Sequence, residues 1–194
     1  MQHLLSKDLA ANPEKAALRK FLLEKRDANS YDMMKIVSSK IFNKLKNIQE
    51  FKNAQSIACY YPTGSEILTQ DIMLDALSHG KQVCLPKVIG NDLEFRQIKD
   101  LNSLENGSFD IMEPKDDCVS CKECDVTIVP AVGLSRNGAR LGYGHGFYDR
   151  YLSNHKTVSI AVSYSKQLVK SIPTVDDDFL VNWIVTEDEF FKTQ

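Results

Sequence analysis

The chain has 194 residues, of which 43% are hydrophobic and 26% are charged, and its formal net charge at pH 7 is −2. These values are typical of one globular domain with a full core, here residues 1–194, and they do not favour nucleic acid or a membrane surface as a partner. The N-terminus has no apolar core of signal-peptide length, and no apolar run is long enough to span a bilayer. The five cysteines, an odd number without a secretion signal, therefore predict reduced thiols and a cytoplasmic location.

A first helix is predicted to begin at Pro13, because Asn12 is a good N-cap and proline suits the first helical position. Its apolar stripe would consist of Leu18, Phe21 and Leu22. Lys15 and Arg19 are four residues apart and share one face. The helix dipole disfavours a cation in the first turn, so either a nearby anion offsets Lys15 or this face is simply solvated.

A second helix is predicted from Ser30 to about Phe51. Its core stripe would consist of Met33, Ile36, Val37, Ile41, Leu45 and Ile48. The next segment, residues 56–61, is predicted to be a buried strand, which a Pro-Thr-Gly sequence ends. Glu66 follows the carboxyl end of that strand, where open α/β sheets bind ligands, although an ordinary loop carboxylate would look the same.

Strands and helices then alternate as far as residue 187. A helix with an N-cap threonine and a glycine stop is predicted over residues 69–80, followed by a hairpin of strands at 82–88 and 93–98. Phe95 in the second strand could wall a planar ligand, but an aromatic residue of an alternating strand is more often a core residue, which we predict here. The later segments include a strand at 157–164 and a short helix at 165–171. This order predicts an α/β fold with a mostly parallel sheet and helices on both faces.

Three cysteines follow a C-x-x-C-x-x-C spacing at Cys118, Cys121 and Cys124. The spacing suits thiolate ligation of zinc or an iron–sulfur cluster, but no fourth ligand is evident. We therefore predict three free thiols in a loop and keep a structural metal as the alternative. Cys59 and Cys84 lie on predicted buried strands, where thiols usually pack as small apolar groups.

The stretch Arg140–Arg150, RLGYGHGFYDR, has glycine at every second position from 142 to 146. Glycine reaches positive φ easily and has no Cβ, so such a run lets several backbone N–H groups face one anion. A buried strand is predicted upstream at 126–132, and a helix that starts at Phe147 would add its positive dipole. The pattern predicts a phosphate cradle, and Asp149 could hold a metal on those phosphates. The spacing matches neither the dinucleotide fingerprint nor the Walker loop, so a tight turn that merely needs glycine is the alternative.

This stretch resembles the signature of the 5-formyltetrahydrofolate cyclo-ligase family, the methenyltetrahydrofolate synthetases, in which R-L-G-x-G-x-G-Y-Y-D leads into a helix. Other segments are similar to the family's in the same order: K-x-x-L-R at 15–19, Y-x-S-x-x-E-x-x-T at 61–69, Leu-Pro-Lys at 85–87, G-x-x-G-I-x-E-P at 107–114, Q-L-V at 167–169 and V-T-E at 185–187. A P-x-E-x-H-D segment ends at 178. Departures are Asp110 for glycine, Val175 for glutamate, Asp177 for histidine, and Asn182 where aspartate is common.

The resemblance implies a three-layer α/β fold of the NagB/RpiA/CoA transferase-like architecture. It also implies ATP- and magnesium-dependent conversion of 5-formyltetrahydrofolate to 5,10-methenyltetrahydrofolate, with release of ADP and phosphate, through a phosphorylated formyl intermediate. A small-molecule folate is the expected partner, and a monomer is the expected state. The alternative is a family relative without cyclo-ligase activity that binds nucleotide, or a metal at the loop of Cys118, Cys121 and Cys124.

The resemblance also implies site residues. Lys15 and Arg140 would be catalytic, and Asp149 and Asp178 would hold magnesium. The implied ATP-binding residues are Lys15, Arg19, Arg140, Leu141, Gly142, Tyr143, Gly144, His145, Gly146, Phe147 and Tyr148. The implied substrate-binding residues are Tyr61, Glu66, Tyr143, Gly144, His145, Gly146 and Phe147. No nucleophilic side chain is required by this chemistry.

Overall fold

The computed structural model describes residues 12–175 and 178–193, so residues 1–11, 176–177 and 194 lie outside the described part, and the departure at Asp177 is among them. The helices are α1 (Pro13–Asp27), α2 (Tyr31–Leu45), α3 (Gln49–Asn53), α4 (Gln70–Ser78) and α5 (Phe147–Asn154). The strands are β1 (Ser56–Ala58), β2 (Gln82–Ile89), β3 (Asp92–Ile98), β4 (Leu104–Asn106), β5 (Met112–Pro114), β6 (Val126–Pro130), β7 (Gly133–Ser135), β8 (Arg140–Leu141), β9 (Val158–Val162), β10 (Leu168–Val169), β11 (Trp183–Val185) and β12 (Phe190–Lys192). None of the helices in this part of the chain is long and apolar enough to cross a membrane.

A seven-stranded sheet in the order β12-β11-β9-β6-β1-β2-β3 forms the centre of the fold. The four inner pairings are parallel, and the β11–β12 and β2–β3 pairings at the edges are antiparallel. This confirms the predicted, mostly parallel sheet. The chain moves outward from β1 to β3 and then returns to the other side of β1 at β6. The carboxyl ends of β1 and β6 therefore flank the switch point where such sheets bind ligands.

Neighbouring residues along each strand belong to opposite apolar clusters, because successive side chains of a strand point to opposite faces. Ile57 and Ile128 pack with residues of α2 and α4, whereas Ala58 and Val129 pack with residues of α5. Helices therefore cover both faces, as predicted. Phe95 is 1% exposed and belongs to the α5 side, which confirms it as a core residue.

The predicted helix over residues 30–51 is instead two helices. The chain closes α2 with a tight turn in which the amide of Ile48 donates to the carbonyl of Leu45, and α3 starts after it. The buried face of α2 is also different from the predicted stripe, because Met33 and Ile36 are about half exposed. Ser38 is buried instead, where its hydroxyl accepts a hydrogen bond from the amide of Leu68 at 2.8 Å.

Three smaller predictions about local structure need correction. Phe21 of the predicted α1 stripe is 51% exposed, so Leu22 provides the buried contact. Thr69 does not cap α4 with its side chain, because its hydroxyl donates to the carbonyl of Tyr60 at 2.6 Å. The helix predicted over residues 165–171 is a single 3₁₀ turn, Ser165–Gln167, which leads directly into β10.

The cysteine predictions were wrong for two residues. Cys84 of β2 and Cys121 of the following loop form a disulfide across 37 residues of sequence. Strand β3 pairs with β2 and also bridges to the loop, where the amide of Cys121 donates to the carbonyl of Phe95 at 2.7 Å. This pairing brings residue 121 next to residue 84. Cys124 is a free, buried thiol, and burial raises its pKa to about 12.

The hairpin of β7 and β8 turns at Gly138, which has φ +92°. A Cβ built there would lie 2.8 Å from the carbonyl oxygen of Val181, so both backbone conformation and space require glycine. We expect Gly138→Ala to lower the free energy of unfolding by about 2–4 kcal/mol, measured by urea denaturation. Gly80→Ala is the control, because Gly80 has φ +70° and open space around it. It should cost about 1–2 kcal/mol, and equal losses in both variants would contradict the steric argument.

Candidate active site

The glycine loop, residues 142–146, connects β8 to α5 near the switch point of the sheet. Gly144 and Gly146 have φ of +100° and +66°, which confirms that the alternating glycines serve positive φ. A Cβ at Gly142 would lie 2.6 Å from Nη1 of Arg140, so a side chain there would displace the guanidinium. Helix α5 begins at Phe147, directly after the loop, as predicted.

Arg140 lies beneath this loop and is 7% exposed. Its Nη2 is 2.9 Å from Oδ2 of Asp149, and its Nη1 donates to the carbonyl of Pro130 at 3.4 Å. The guanidinium also lies over the ring of Tyr148, at 5.6 Å from the centroid. Its Nε is buried and has no hydrogen-bond partner among the described residues. A buried cationic donor without a partner, beside a loop in which two glycines hold positive φ, fits an anionic ligand such as a phosphate.

Helix α1 contributes two further cations to the same place. Lys15 is 2.5 Å from Oδ2 of Asp178, so a nearby anion offsets its position in the first turn. Arg19 is 4% exposed, and its Nε donates to the carbonyl of Gly142 at 2.7 Å. The alternative of a solvated basic face is therefore wrong for both residues.

The two predicted metal ligands lie close together. The amide of Phe179, the residue after Asp178, donates to Oδ1 of Asp149 at 3.4 Å. Asp178 also accepts from the amide of Val175 at 2.8 Å, and this backbone donor orients its carboxylate. Hard oxygen ligands of this kind suit magnesium, which is usually bound by one or two carboxylates together with substrate phosphates. No group of three or more candidate metal-binding side chains exists among residues 12–175 and 178–193.

Glu66 and Tyr143 meet on the other side of the glycine loop. The hydroxyl of Tyr143 donates to Oε1 of Glu66 at 2.9 Å, and Oε2 accepts from the amide of Thr63 at 2.9 Å. Glu66 is 5% exposed, and this burial raises the pKa of its carboxyl. Tyr143 as a residue is 39% exposed, but burial of its hydroxyl end against Glu66 raises the pKa of the phenol. Tyr61, the other predicted folate residue, is half-buried and packs against the core on the α2 side.

The sequence predictions missed Arg26, which completes this arrangement. Its Nη2 donates to the hydroxyl of Tyr143 at 2.7 Å, and its Nε donates to the hydroxyl of Ser65 at 2.8 Å. Arg26 is 4% exposed and lies seven residues after Arg19 on α1. A spacing of two helical turns places both arginines on one face, which is the signal that could have revealed it.

An aromatic surface stands beside the loop. The ring of His145 stacks on Phe147 at 5.3 Å and lies 5.2 Å from the ring of Phe109, which is 56% exposed. Phe109 and Asp110 both have positive φ, +59° and +58°, so Asp110 adopts the left-handed conformation that glycine would favour there. The sequence predictions also missed Phe109. The three rings offer a face on which a flat heterocycle could stack.

Two solved structures closely share this fold. The NMR structure of the Aquifex aeolicus 5,10-methenyltetrahydrofolate synthetase has a TM-score of 0.82 and 34% identity, with 92% of each chain covered. The 5,10-methenyltetrahydrofolate synthetase of Mycoplasma pneumoniae has a TM-score of 0.73 and 25% identity, with 90% of this chain and 99% of the other covered. The fold and site thus define an α/β enzyme built like the methenyltetrahydrofolate synthetases.

The sequence comparisons make the assignment more specific. A probable 5-formyltetrahydrofolate cyclo-ligase of Caenorhabditis elegans is 25% identical over 192 residues, covering 90% of this chain and 93% of the relative. The 5-formyltetrahydrofolate cyclo-ligase of Haemophilus influenzae is 31% identical over 137 residues, covering 66% of this chain and 73% of the relative. The model of the 5-formyltetrahydrofolate cyclo-ligase family matches residues 11–187, and the chain belongs to that family.

Proposed function

We propose that the protein uses ATP and magnesium to convert 5-formyltetrahydrofolate to 5,10-methenyltetrahydrofolate, with release of ADP and phosphate. One observation carries the proposal beyond family membership. The glycine loop lies between two different kinds of binding group, a cation and a carboxylate. On one side, Arg140 has a buried donor without a partner, and on the other side, Tyr143 holds the buried carboxylate of Glu66. A phosphate and a pterin would thereby be held next to each other.

The chemistry explains why these groups are needed. A formamide is a poor electrophile, so its oxygen first attacks the γ-phosphorus of ATP, forming an O–P bond while the bond to ADP breaks. The N10 amine then attacks the formyl carbon, loses its proton, and the C–O bond breaks to release phosphate. Transfer of this kind depends mainly on positioning and charge neutralisation. No side chain needs to act as a nucleophile.

The residues of the site would divide this work between them. Lys15, Arg19 and Arg140, together with the amides of the glycine loop, would neutralise the phosphates. Asp149 and Asp178 would hold magnesium, which supplies further positive charge on the phosphates when it is bound. Glu66 would accept the paired N–H groups of the pterin ring. The rings of Phe109, His145 and Phe147 would cover its face.

We also propose that the chain acts as a monomer and a single domain in the cytoplasm, although the Cys84–Cys121 disulfide is unusual for that reducing compartment and contradicts the predicted reduced thiols at these two residues. The net charge of −2 supports a small-molecule partner rather than a nucleic acid. We do not propose a metal site at the cysteine loop, because the disulfide to Cys84 removes Cys121 from the C-x-x-C-x-x-C set. Stoichiometric zinc or iron in the purified protein would contradict this last point and support the alternative of a metal-binding relative.

The test mixes purified protein, ATP, magnesium and 5-formyltetrahydrofolate, and follows absorbance at the band of the methenyl product together with release of ADP. We expect the two signals to appear together in a one-to-one ratio and to vanish when ATP is omitted. Release of ADP without the methenyl band would indicate a nucleotide-binding relative that does not close the folate ring, and it would contradict the proposal.

A further inference from the structure

Arg26 is a buried cation on α1 that has no part in the chemistry described above. We propose that Arg26 is a positioning residue, which holds the hydroxyl of Tyr143 and, through it, the carboxylate of Glu66 in one orientation for the folate ring. The inference deepens the proposed function and rests on it. It assigns Arg26 to the folate side of the site, although Arg19, two turns earlier on the same helix, contacts the glycine loop on the phosphate side.

Arg26 joins three separate segments of the chain. From α1, its Nε donates to the hydroxyl of Ser65, beside Glu66, and its Nη2 donates to Tyr143 in the glycine loop. The guanidinium also lies 5.6 Å from the centroid of the Tyr143 ring. Ser65 in turn donates to the carboxylate of Asp27, which keeps the loop against the helix. If Tyr143 moved, it would lose both the hydrogen bond from Arg26 and the contact between its ring and the guanidinium.

The direction of each hydrogen bond follows from the chemistry of the donors. A guanidinium has only donors, so the oxygen of Tyr143 must accept from Arg26. The single proton of the phenol is then committed to Oε1 of Glu66, at 2.9 Å. Without Arg26, the phenol could rotate its proton elsewhere. With it, Glu66 has a fixed donor on one oxygen and the amide of Thr63 on the other, so its carboxylate orientation is settled before the substrate arrives.

A purely structural role does not account for Arg26. Its Nη1 is buried and has no hydrogen-bond partner among the described residues, whereas buried polar groups that serve stability are normally satisfied. Its nearest ion-pair oxygen belongs to Asp27 at 3.8 Å from Nε, and that side chain is 60% exposed. An apolar side chain of similar size would serve packing at least as well. A charge at this position is explained by its effect on Tyr143 and Glu66.

The charge of Arg26 also affects the ionisation of Glu66. Burial raises the pKa of the Glu66 carboxyl, whereas the amide of Thr63, the Arg26 cation and the Tyr143 hydroxyl lower it. The titratable groups that interact electrostatically with Glu66 also include the phenols of Tyr60, Tyr148 and Tyr164, in addition to that of Tyr143. These phenols are neutral near pH 7, because burial raises their pKa values as well. Removal of Arg26 should therefore raise the pKa of Glu66, so that the carboxyl binds a proton at higher pH and accepts pterin N–H groups less well.

The test compares Arg26→Gln, Arg26→Lys and Tyr143→Phe with the wild-type protein. We expect Arg26→Gln to raise KM for 5-formyltetrahydrofolate about tenfold or more, while KM for ATP stays within about twofold. The acid limb of the kcat/KM profile should move to higher pH, and Arg26→Lys should restore part of both effects because it keeps the charge. Arg96→Gln is the matched control, since it breaks the arginine pair with Glu94 on β3, away from this site.

A second measurement separates this proposal from the proposed function. The Glu66 carboxyl is titrated by carbon-13 NMR in the protein without substrates, where Arg26→Gln and Tyr143→Phe should each raise the midpoint, and the double variant should be less than additive. Absence of turnover in the wild-type protein would contradict the proposed function. The titration of Glu66 would still show whether Arg26 and Tyr143 control its carboxyl. Unchanged folate KM and an unchanged Glu66 midpoint in Arg26→Gln would overturn the positioning role. If Arg26→Gln does not fold, an unshifted midpoint in Tyr143→Phe, whose residue is 39% exposed, overturns it instead.

Discussion

Replacement of Arg140 by glutamine should lower formyltetrahydrofolate-dependent ATP hydrolysis by about 10³-fold or more. The reason is that Arg140 is a deeply enclosed cation at the glycine loop, with a side chain only 4% exposed. In so dry a place, a positive charge stabilises developing phosphate charge much more than it would in water. Its unpartnered Nε means that one donor is available without breaking a bond first. The rate should be measured by ADP release at saturating concentrations of both substrates.

Two controls separate this catalytic effect from a loss of fold. Arg136→Gln makes the same substitution in the same hairpin, but its side chain is 63% exposed and pairs with Glu189, so turnover should stay within about twofold of wild type. Arg140→Lys keeps the charge but loses the two-pronged donor, and it should retain intermediate activity. Circular dichroism and urea unfolding must show a folded Arg140→Gln protein. Turnover near the wild-type rate in that folded variant would contradict the assignment of Arg140.

Several parts of this fold could be predicted because their signals lie within a few residues. Asn12 before Pro13 starts α1, and the side chain of Asn12 accepts from the amide of Lys15 at 3.0 Å. The alternating glycines produce positive φ at Gly144 and Gly146 and lead directly into α5. The β-branched runs at 126–130 and 158–162 form β6 and β9, two of the inner parallel strands. In each case a local steric or capping preference agrees with the final structure, which is the situation in which pattern-based prediction works.

Contacts between distant segments could not be predicted in the same way. Arg26 and Tyr143 are 117 residues apart, and Cys84 and Cys121 are 37 apart. Each pair forms only because the fold brings two distant segments together. The residue pattern within one segment contains no information about which distant segment it will meet. The buried face of α2 shows the same limit. Its sequence is apolar on more than one side, and the buried side is the one on which Ser38 meets the amide of Leu68.

The paired charges in the site lead to a second large expected effect, this time on ligand binding. Lys15 is paired with Asp178 and Arg140 with Asp149, so two cations proposed for phosphate are held by the carboxylates proposed for magnesium. For its paired nitrogen, Nζ of Lys15 or Nη2 of Arg140, to contact a triphosphate, each cation must exchange a carboxylate for phosphate oxygens. The released carboxylate would be left unpaired in a partly buried place, which is unfavourable unless a metal cation takes it over. Nucleotide and magnesium should therefore each strengthen the binding of the other.

Asp149→Asn tests this exchange, because it removes the carboxylate that competes for Arg140 while keeping its shape. We expect metal-free nucleotide to bind about tenfold more tightly, and the strengthening by magnesium to disappear, as measured by calorimetry with a non-hydrolysable ATP analogue. Turnover should nevertheless fall about 100-fold or more, because the carboxylate that orients the metal is lost.

The control for this experiment is Asp92→Asn, which removes one negative charge from an exposed pair with Arg150 beside the same loop. Asp92 is 72% exposed, so its removal changes the net charge near the site without freeing a cation proposed for phosphate. If Asp149→Asn and Asp92→Asn strengthen metal-free binding equally, a general charge effect explains the result. If Asp149→Asn weakens metal-free binding, Asp149 does not compete for Arg140. The proposal requires that metal-free nucleotide binds more tightly to Asp149→Asn but not to Asp92→Asn, and that Asp149→Asn also loses turnover. This result would show that the cations and carboxylates of the site are paired with one another until nucleotide and metal bind.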